Sequence, residues 1–296
     1  MSDWELPRKL LLAVEGDDAD SGQREWVASL SHIVAGLADR WSLEVGSPFQ
    51  PGGSASWVAP ARTAAGACVV LKVGWRHDEA LHEAEGLRVW SGAGAVRLLD
   101  ARTFDQTSAL LLDACVPGTP LSERPELEQD VVVADVLSRL WITPPATHPF
   151  RALQSMCERW ADEFDARQDA AGDGGSGLDP GLVRAGIDLL RDLPRTAERH
   201  VLLCTDLHAG NILAAEREPW LAIDPKPYVG DPTYDVLQHM LNCTERLAAD
   251  PAGFVRRMAE LLDLDAQRLR RWLLARCVLE SLDVPELCPV AVALAA

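Results

Sequence analysis

The stretch Cys204-Thr205-Asp206-Leu207-His208-Ala209-Gly210-Asn211 is followed by a second stretch, Ile223-Asp224-Pro225-Lys226. Each follows a short apolar run, at 200–203 and at 220–223, and both runs predict strands. Residues 216–219 between them predict a hairpin turn. The acidic residues are therefore expected at points where the chain leaves a core.

Three side chains in these stretches carry oxygen at a defined spacing. Asp206 and Asn211 are five residues apart, and Asp224 lies 13 residues beyond Asn211. A carboxylate can accept a hydroxyl proton, and a carboxylate with an amide oxygen suits a hard cation. This is the layout that protein kinases use for phosphoryl transfer. Polar residues that cap turns are the alternative, which suits one aspartate better than all three residues.

The remaining chain changes in character from its first half to its second. Helical patterns at 24–41 and 78–91 alternate with strand-like runs at 67–73, 96–99 and 109–112. After Pro117-Gly118, helical patterns dominate. The sequence predicts an α+β protein with a small N-terminal lobe built on an antiparallel sheet and a larger, mostly helical C-terminal lobe. We expect residues 1–112 to form the first lobe, 113–118 the linker and 119–296 the second lobe.

Composition excludes several classes of partner. The 296 residues include 28 Lys and Arg against 45 Asp and Glu, a formal charge of −17, which disfavours nucleic acid and anionic membranes but permits a cationic partner. No apolar run approaches the roughly 18–20 residues of a membrane span. The N-terminus lacks a secretory signal pattern, and the seven scattered cysteines contain no C-x-x-C, so we expect a cytoplasmic protein with reduced thiols.

The two stretches also carry a family resemblance. The loop from Asp206 to Asn211 resembles the catalytic loop of aminoglycoside phosphotransferases. Residues 218–227 and 230–235, with their Asp-Pro-Lys-Pro and Gly-Asp-Pro strings, resemble the aminoglycoside/hydroxyurea antibiotic-resistance kinases within that family. The likeness covers nearly the whole chain.

The resemblance implies a bilobal, protein-kinase-like fold with a nucleotide-binding N-terminal lobe. It also implies an ATP- and Mg²⁺-dependent phosphotransferase that moves the γ-phosphate to a hydroxyl of an aminoglycoside-type antibiotic, streptomycin first, and so inactivates it. The acceptor is expected to be a small, cationic molecule. Two alternatives are a kinase of another small hydroxylated molecule and a degenerate nucleotide-binding protein without catalysis. The oligomeric state stays open.

In the N-terminal lobe the resemblance gives Lys72 the role of pairing with nucleotide phosphates. Glu83, on the following helix, is expected to hold Lys72 as an ion pair, with Glu79 and Glu85 as neighbouring alternatives. Lys72 and Lys226 are two of only three lysines in the chain.

Two other segments of this lobe are implied to contact the nucleotide. Gly52, Gly53 and Ser54 match the glycine-rich turn over the phosphates, where backbone amides approach an anion closely. A plain hairpin turn is the alternative. Asp113 and Cys115 would bond the adenine from the linker, although similar sequences tend to carry Glu at the first of these positions.

In the C-terminal lobe the resemblance makes Asp206 the catalytic base and Asn211 and Asp224 the magnesium ligands. The role of Lys226, two residues after Asp224, stays open.

Several acidic residues are candidates for contacting a cationic acceptor. Asp231 and Asp235 either brace the loop or face the acceptor, and a helix cap near Pro232 is the further interpretation of Asp231. The other candidates are acidic or aromatic residues of the same lobe: Asp162, Glu163, Asp165, Glu280, Trp160 and Trp272.

The chain departs from the family pattern just before the catalytic aspartate. Related kinases usually carry His-Gly where this chain has Cys204-Thr205. Cysteine can pack there without making the histidine's hydrogen bonds, and Thr205 would restrain the loop where glycine is flexible. The alternative use of Cys204 as a nucleophile lacks the surrounding Cys–His–Asn arrangement.

Overall fold

The computed structural model describes residues 5–16, 20–171 and 175–296, and the chain divides into two units. Residues 1–92 and 96–118 belong to the first, and residues 93–95 and 119–296 to the second. The first carries a large antiparallel sheet and the second is mostly helical, so the predicted α+β class is confirmed. The binding, linking and catalytic roles predicted for 1–112, 113–118 and 119–296 stay predictions.

The sheet of the first unit has the strand order β1-β2-β3-β5-β4, with all neighbours antiparallel. Its strands are β1 (Leu43–Val45), β2 (Ser56–Thr63), β3 (Cys68–Trp75), β4 (Leu98–Phe104) and β5 (Thr107–Asp113). The strands predicted at 67–73 and 109–112 are confirmed as β3 and β5. The strand predicted at 96–99 was misplaced, because β4 continues to Phe104, which pairs with Thr107 of β5. The added part of β4 includes polar residues, so a hydrophobic pattern does not indicate it.

The helices of the first unit are α1 (Arg8–Glu15), α2 (Ser21–Trp41) and α3 (Glu83–Trp90), and a short 3₁₀ helix spans Asp78–Ala80. Helix α2 begins before the predicted residue 24 because the Asp20 carboxylate accepts the backbone N–H groups of Gly22 and Gln23. The single helix predicted at 78–91 is wrong, since His82 adopts a left-handed backbone (φ +69°) between the two segments.

The core of the first unit lies between α2 and one face of the sheet. Helix α2 supplies a buried apolar stripe that includes Trp26, Leu30 and Leu37. Leu71 and Val73 of β3 pack into the same core. Because side chains alternate along a strand, Lys72 lies on the opposite face.

The second unit contains helices joined by short strands. After strand β6 (Pro117–Pro120), its helices are α4 (Glu126–Leu140), α5 (Leu153–Ala171), α6 (Pro180–Asp192), α7 (Pro232–Asp235), α8 (Leu237–Asn242), α9 (Thr244–Ala249), α10 (Pro251–Leu262), α11 (Ala266–Glu280) and α12 (Leu287–Ala295). Its strands are β7 (Arg151–Ala152), β8 (Val201–Leu203), β9 (Ile212–Ala215), β10 (Trp220–Ala222) and β11 (Tyr228–Gly230). Short 3₁₀ helices span Leu121–Glu123, Leu193–Thr196 and Ala209–Asn211.

These strands fix the two loops of interest. Strands β9 and β10 form the predicted hairpin, with Ala222 opposite Ile212. Strand β11 pairs antiparallel with β8 and parallel with β7. The loop that starts at Cys204 leaves β8, and the loop that contains Asp224 connects β10 to β11.

Helices α6 and α11 of the second unit pack closely against each other. A Cβ atom on Gly186 of α6 would lie 2.6 Å from Val278 of α11, so the two helices approach more closely than a larger residue would allow.

Among the helices of the described residues, none is both long and apolar enough to cross a membrane.

Candidate active site

A buried ion pair joins strand β3 to helix α3 in the first unit. The Nζ atom of Lys72 lies 2.7 Å from both carboxylate oxygens of Glu83. Only 9% of Lys72 and 7% of Glu83 are exposed. Glu85 instead pairs with Arg88 at the surface, 3.4 Å away, so the geometry selects Glu83 over Glu85. The side chain of Glu79 lies outside the described residues.

The glycine-rich segment lies in the loop between β1 and β2. Gly52 has φ +72°, and a Cβ atom there would come within 2.5 Å of Pro7, so the backbone itself requires glycine. The carbonyl of Ser54 accepts a hydrogen bond from the Gln23 amide at 2.9 Å. The turn therefore has a structural reason for its first glycine, and contact of Gly52, Gly53 and Ser54 with phosphate stays a prediction.

The predicted adenine-binding segment follows the last strand of the sheet. Asp113 ends β5, and its backbone N–H donates to the Arg97 carbonyl at 2.9 Å. Asp113 and Cys115 are both partly exposed. Their predicted bonding to adenine stays a prediction.

In the second unit, Asp235 anchors the start of the loop that follows β8. Its carboxylate accepts the backbone N–H groups of Cys204 at 3.0 Å and Thr205 at 2.6 Å, and the Trp141 indole N–H at 3.0 Å. Burial raises the pKa of Asp235 to about 6, although these three hydrogen bonds favour the carboxylate. Asp235 is fully buried and braces the loop, which argues against the alternative that it faces an acceptor.

Two hydrogen bonds, one from a side chain and one within the backbone, bring the three predicted oxygen-bearing residues of this unit together. The Asn211 amide nitrogen donates to the Asp206 carbonyl at 3.0 Å. The Ile223 N–H donates to the Asn211 carbonyl at 2.9 Å, which places Asp224 one residue beyond this contact. Asp224 adopts a left-handed backbone (φ +54°), a conformation that non-glycine residues rarely adopt outside turns and functional sites.

This donor set fits a hard divalent cation. Because the nitrogen of the Asn211 amide is bound to the Asp206 carbonyl, its oxygen is the end presented to a ligand. A carboxylate from Asp224 and an amide oxygen from Asn211 are the ligand types that Mg²⁺ accepts. The buried Lys72–Glu83 pair likewise matches the lysine–glutamate pair that kinases use at nucleotide phosphates.

Lys226 contacts the predicted base directly. Its Nζ atom lies 3.1 Å from Oδ2 of Asp206, and 31% of the Lys226 side chain and 20% of the Asp206 side chain are exposed. No local sequence signal indicated this contact, because the two residues are 20 positions apart and meet only through the pairing of β8 with β11.

Cys204 is unsuited to nucleophilic chemistry. It is completely buried, and burial together with the nearby carboxylates of Asp235 and Asp206 raises the pKa of its thiol well above the usual value. The thiol therefore stays protonated and packs as an apolar group.

Asp231 serves a structural purpose. It caps α7 by accepting the Thr233 N–H at 2.9 Å, and it accepts Arg268 Nε and Trp272 Nε1 at 2.6 Å each. Only 3% of Asp231 is exposed and none of Trp272, which argues against the prediction that either contacts an acceptor. The capping interpretation of Asp231 is confirmed.

The other acidic candidates lie on helices α5 and α11. Glu280 ends α11. It accepts a hydrogen bond from Arg276 at 2.7 Å, and 32% of its side chain is exposed. The Arg276 guanidinium lies 5.2 Å from the ring centre of Trp160. Asp162 and Asp165 both pair with Arg191, and Glu163 with Arg159.

Comparison with known proteins places this chain in a family. Residues 40–285 match the model of the aminoglycoside/hydroxyurea antibiotic resistance kinases. A streptomycin 6-kinase of Streptomyces griseus is 36% identical over 88% of this chain and 84% of its own length. A hydroxyurea phosphotransferase of Kitasatospora aureofaciens is 34% identical over 93% of this chain and 78% of its own length.

A solved structure supports the fold independently of close sequence similarity. An aminoglycoside-3'-phosphotransferase of type VIII superposes with a TM-score of 0.53 at 20% identity, over 85% of this chain and 98% of that one. The predicted protein-kinase-like fold class is thereby confirmed. By the match over residues 40–285 and the identity to these relatives, the chain belongs to the aminoglycoside/hydroxyurea antibiotic resistance kinase family.

Proposed function

We propose that this protein is an ATP- and Mg²⁺-dependent O-phosphotransferase that inactivates an aminoglycoside-type antibiotic, with streptomycin as the first acceptor to test. The observation that carries the proposal is the convergence of Asp206, Asn211 and Asp224 on adjacent loops through defined hydrogen bonds. The streptomycin 6-kinase relative supports the choice of acceptor.

Each residue in the second unit has a distinct task in this proposal. Asp206 accepts the proton of the acceptor hydroxyl as its oxygen bonds to the γ-phosphorus of ATP, while the bond from that phosphorus to the β–γ bridging oxygen breaks and ADP leaves. Asn211 and Asp224 hold magnesium through their side-chain oxygens. When bound, the metal neutralises charge that develops on the phosphate oxygens.

The first unit supplies the nucleotide contacts. Lys72 binds nucleotide phosphates, and Glu83 holds the ammonium in place through the bidentate ion pair. Gly52, Gly53 and Ser54 offer backbone amides to the phosphates, and Asp113 and Cys115 offer backbone groups to the adenine.

A cationic acceptor fits the charge of the chain. The formal charge of −17 attracts cations in general, and Glu280 is a partly exposed acid that could contact one. We place the enzyme in the cytoplasm in this proposal, because ATP is supplied there.

A second acceptor is favoured by a specific observation. The hydroxyurea phosphotransferase relative is nearly as similar to this chain as the streptomycin kinase. Hydroxyurea is small and uncharged, so it would need no acidic contact. Since the predicted catalytic set is complete, a degenerate nucleotide-binding protein is not favoured.

The experiment is a panel of acceptors incubated with purified protein, ATP and Mg²⁺. Streptomycin, other aminoglycosides and hydroxyurea are compared by coupled ADP release, and each product is examined for the mass of one added phosphate. We expect acceptor-dependent ADP release with streptomycin. A protein that binds ATP, detected by thermal shift, but phosphorylates no member of the panel would contradict the proposal.

A further inference from the structure

Thr205 occupies a backbone conformation that its side chain makes unfavourable. Its φ is +53°, in the left-handed region, where a β-branched residue is a genuine outlier. The hydroxyl donates a 2.6 Å hydrogen bond to the carbonyl of Lys226, 21 residues away. This bond offers a reason for threonine at a position where the conformation favours glycine.

A second hydrogen bond fixes the same residue. The Lys226 N–H donates to the Cys204 carbonyl at 2.9 Å. The backbone of Lys226 is therefore fastened at both its N–H and its carbonyl to the residues that immediately precede Asp206. We call these two hydrogen bonds the Thr205–Lys226 clasp.

The side chain of the clasped Lys226 contacts Asp206, the predicted base. From this anchored backbone the Lys226 ammonium reaches Oδ2 of Asp206 at 3.1 Å. Asp235 holds the same turn through the N–H groups of Cys204 and Thr205. The peptide before Asp206 and the carboxylate of Asp206 are thus both restrained.

We infer that Thr205 is a positioning residue that acts through Lys226 to orient the Asp206 carboxylate for proton transfer. The inference rests on the proposed function of Asp206 as the base. Proton transfer and attack depend on sub-ångström geometry, so a hydrogen bond that fixes the partner of the base affects turnover more than nucleotide affinity. The compact ammonium of Lys226 suits this contact, because the planar arginine head has a different reach and hydrogen-bond geometry.

Three substitutions at one position test the inference. Thr205→Val keeps the shape and loses the hydroxyl, Thr205→Ser keeps the hydroxyl, and Thr205→Gly loses the hydroxyl and relieves the left-handed strain. We expect Thr205→Val and Thr205→Gly to lower kcat about 10- to 100-fold, with the KM for ATP changed by less than about twofold. Thr205→Ser should stay within about threefold of the wild-type kcat.

Thermal melting separates this role from a purely structural one. Thr205→Gly is expected to melt at or above the wild-type temperature while its kcat falls, because it removes strain together with the clasp. Wild-type kcat in Thr205→Val, or an equal loss in Thr205→Ser and Thr205→Val, would overturn the inference.

A crystal structure of Thr205→Val tests the clasp without any acceptor. We expect the Lys226 Nζ to Asp206 Oδ2 distance to lengthen from 3.1 Å to beyond about 4 Å, the limit of an ion pair. An unchanged distance overturns the inference. If the wild-type protein phosphorylates nothing, the proposed function fails, and this structure still decides whether Thr205 positions Lys226.

Discussion

Two of the three lysines of this protein bind carboxylates, and they do so in opposite ways. In the first unit, Lys72 makes two 2.7 Å contacts with Glu83, and both residues are buried. In the second unit, the Lys226 ammonium lies 3.1 Å from Oδ2 of Asp206, and both side chains are partly exposed. One pair is sealed in the protein, whereas the other lies where a ligand can reach it.

The difference teaches what each carboxylate is for. Glu83 is enclosed with its lysine and cannot exchange partners without exposing a buried charge. Asp206 keeps part of its surface open, so it can meet a substrate hydroxyl while it is held by Lys226. In the proposed function, the positioning carboxylate and the reacting carboxylate thus differ in exposure, although both pair with lysine.

The largest effect is expected from a substitution that removes the carboxylate of Asp206, the proposed base. Asp206→Asn preserves the size of the side chain but cannot accept the proton, so kcat should fall about 10²- to 10⁴-fold. Steady-state kinetics with whichever acceptor of the panel is phosphorylated, streptomycin first, measures this loss.

Its control is nucleotide binding. The thermal shift produced by Mg²⁺ and ATP should be the same in Asp206→Asn as in the wild-type protein. A variant that keeps more than half of the wild-type kcat would show that Asp206 is not the base.

The next largest effect is on the free energy of unfolding, which should differ between substitutions of the two lysines. Lys72→Met leaves Glu83 buried without its cation and should lower the free energy of unfolding by about 3–5 kcal/mol. Lys226→Met removes a partly exposed pair and should cost about 0–1 kcal/mol. Urea unfolding of both variants measures the contrast.

A double substitution sharpens this comparison. Lys72→Met combined with Glu83→Gln should be more stable than Lys72→Met alone, because the unpaired buried charge is gone. Glu85→Gln, which touches only the surface pair with Arg88, serves as the matched control and should leave stability nearly unchanged. Equal costs for Lys72→Met and Lys226→Met would refute the distinction between the two pairs.

The smallest expected effect is on the pH dependence of stability. It comes from Asp235, the buried residue that anchors the loop that starts at Cys204. The folded-state pKa of Asp235, about 6, lies above its ordinary value of 3.8. Between these pH values the folded protein retains a proton that the unfolded chain has lost, so this group makes stability fall as the pH rises.

Asp235→Asn, which does not titrate, isolates this contribution. The stability of the wild-type protein relative to Asp235→Asn should decrease by about 1 kcal/mol per pH unit from pH 4 to pH 6 and level off above about pH 7. Urea unfolding at several pH values checks the slope. A difference that does not vary between pH 4 and 6 would rule out a raised pKa at Asp235.

The sequence predicted which oxygen-bearing residues of the second unit lie together, because local spacing and family resemblance both pointed to them. Asp206, Asn211 and Asp224 lie on a hairpin and its flanking loops, where short-range pairing of β9 with β10 brings them together. The Lys72–Glu83 pair was also predicted, since strand β3 and the following helix are adjacent in the chain.

Contacts between distant segments could not be read from the sequence. Trp141 bonds Asp235 across 94 positions, and Asp231 turns its carboxylate to Arg268 and Trp272 rather than to an acceptor. Composition cannot distinguish an acid that is buried among donors from one that faces a cleft. Only the packing of the helices decides which of these carboxylates stays accessible.

The central claim is that the γ-phosphate passes to a hydroxyl of the acceptor. The most direct test is ³¹P NMR of a reaction that contains the wild-type protein, ATP, Mg²⁺ and streptomycin. The account predicts a new phosphomonoester resonance on streptomycin that grows at the rate of ADP formation and is absent with Asp206→Asn. ADP accompanied only by inorganic phosphate, or the same phosphomonoester formed by Asp206→Asn at the wild-type rate, would contradict it.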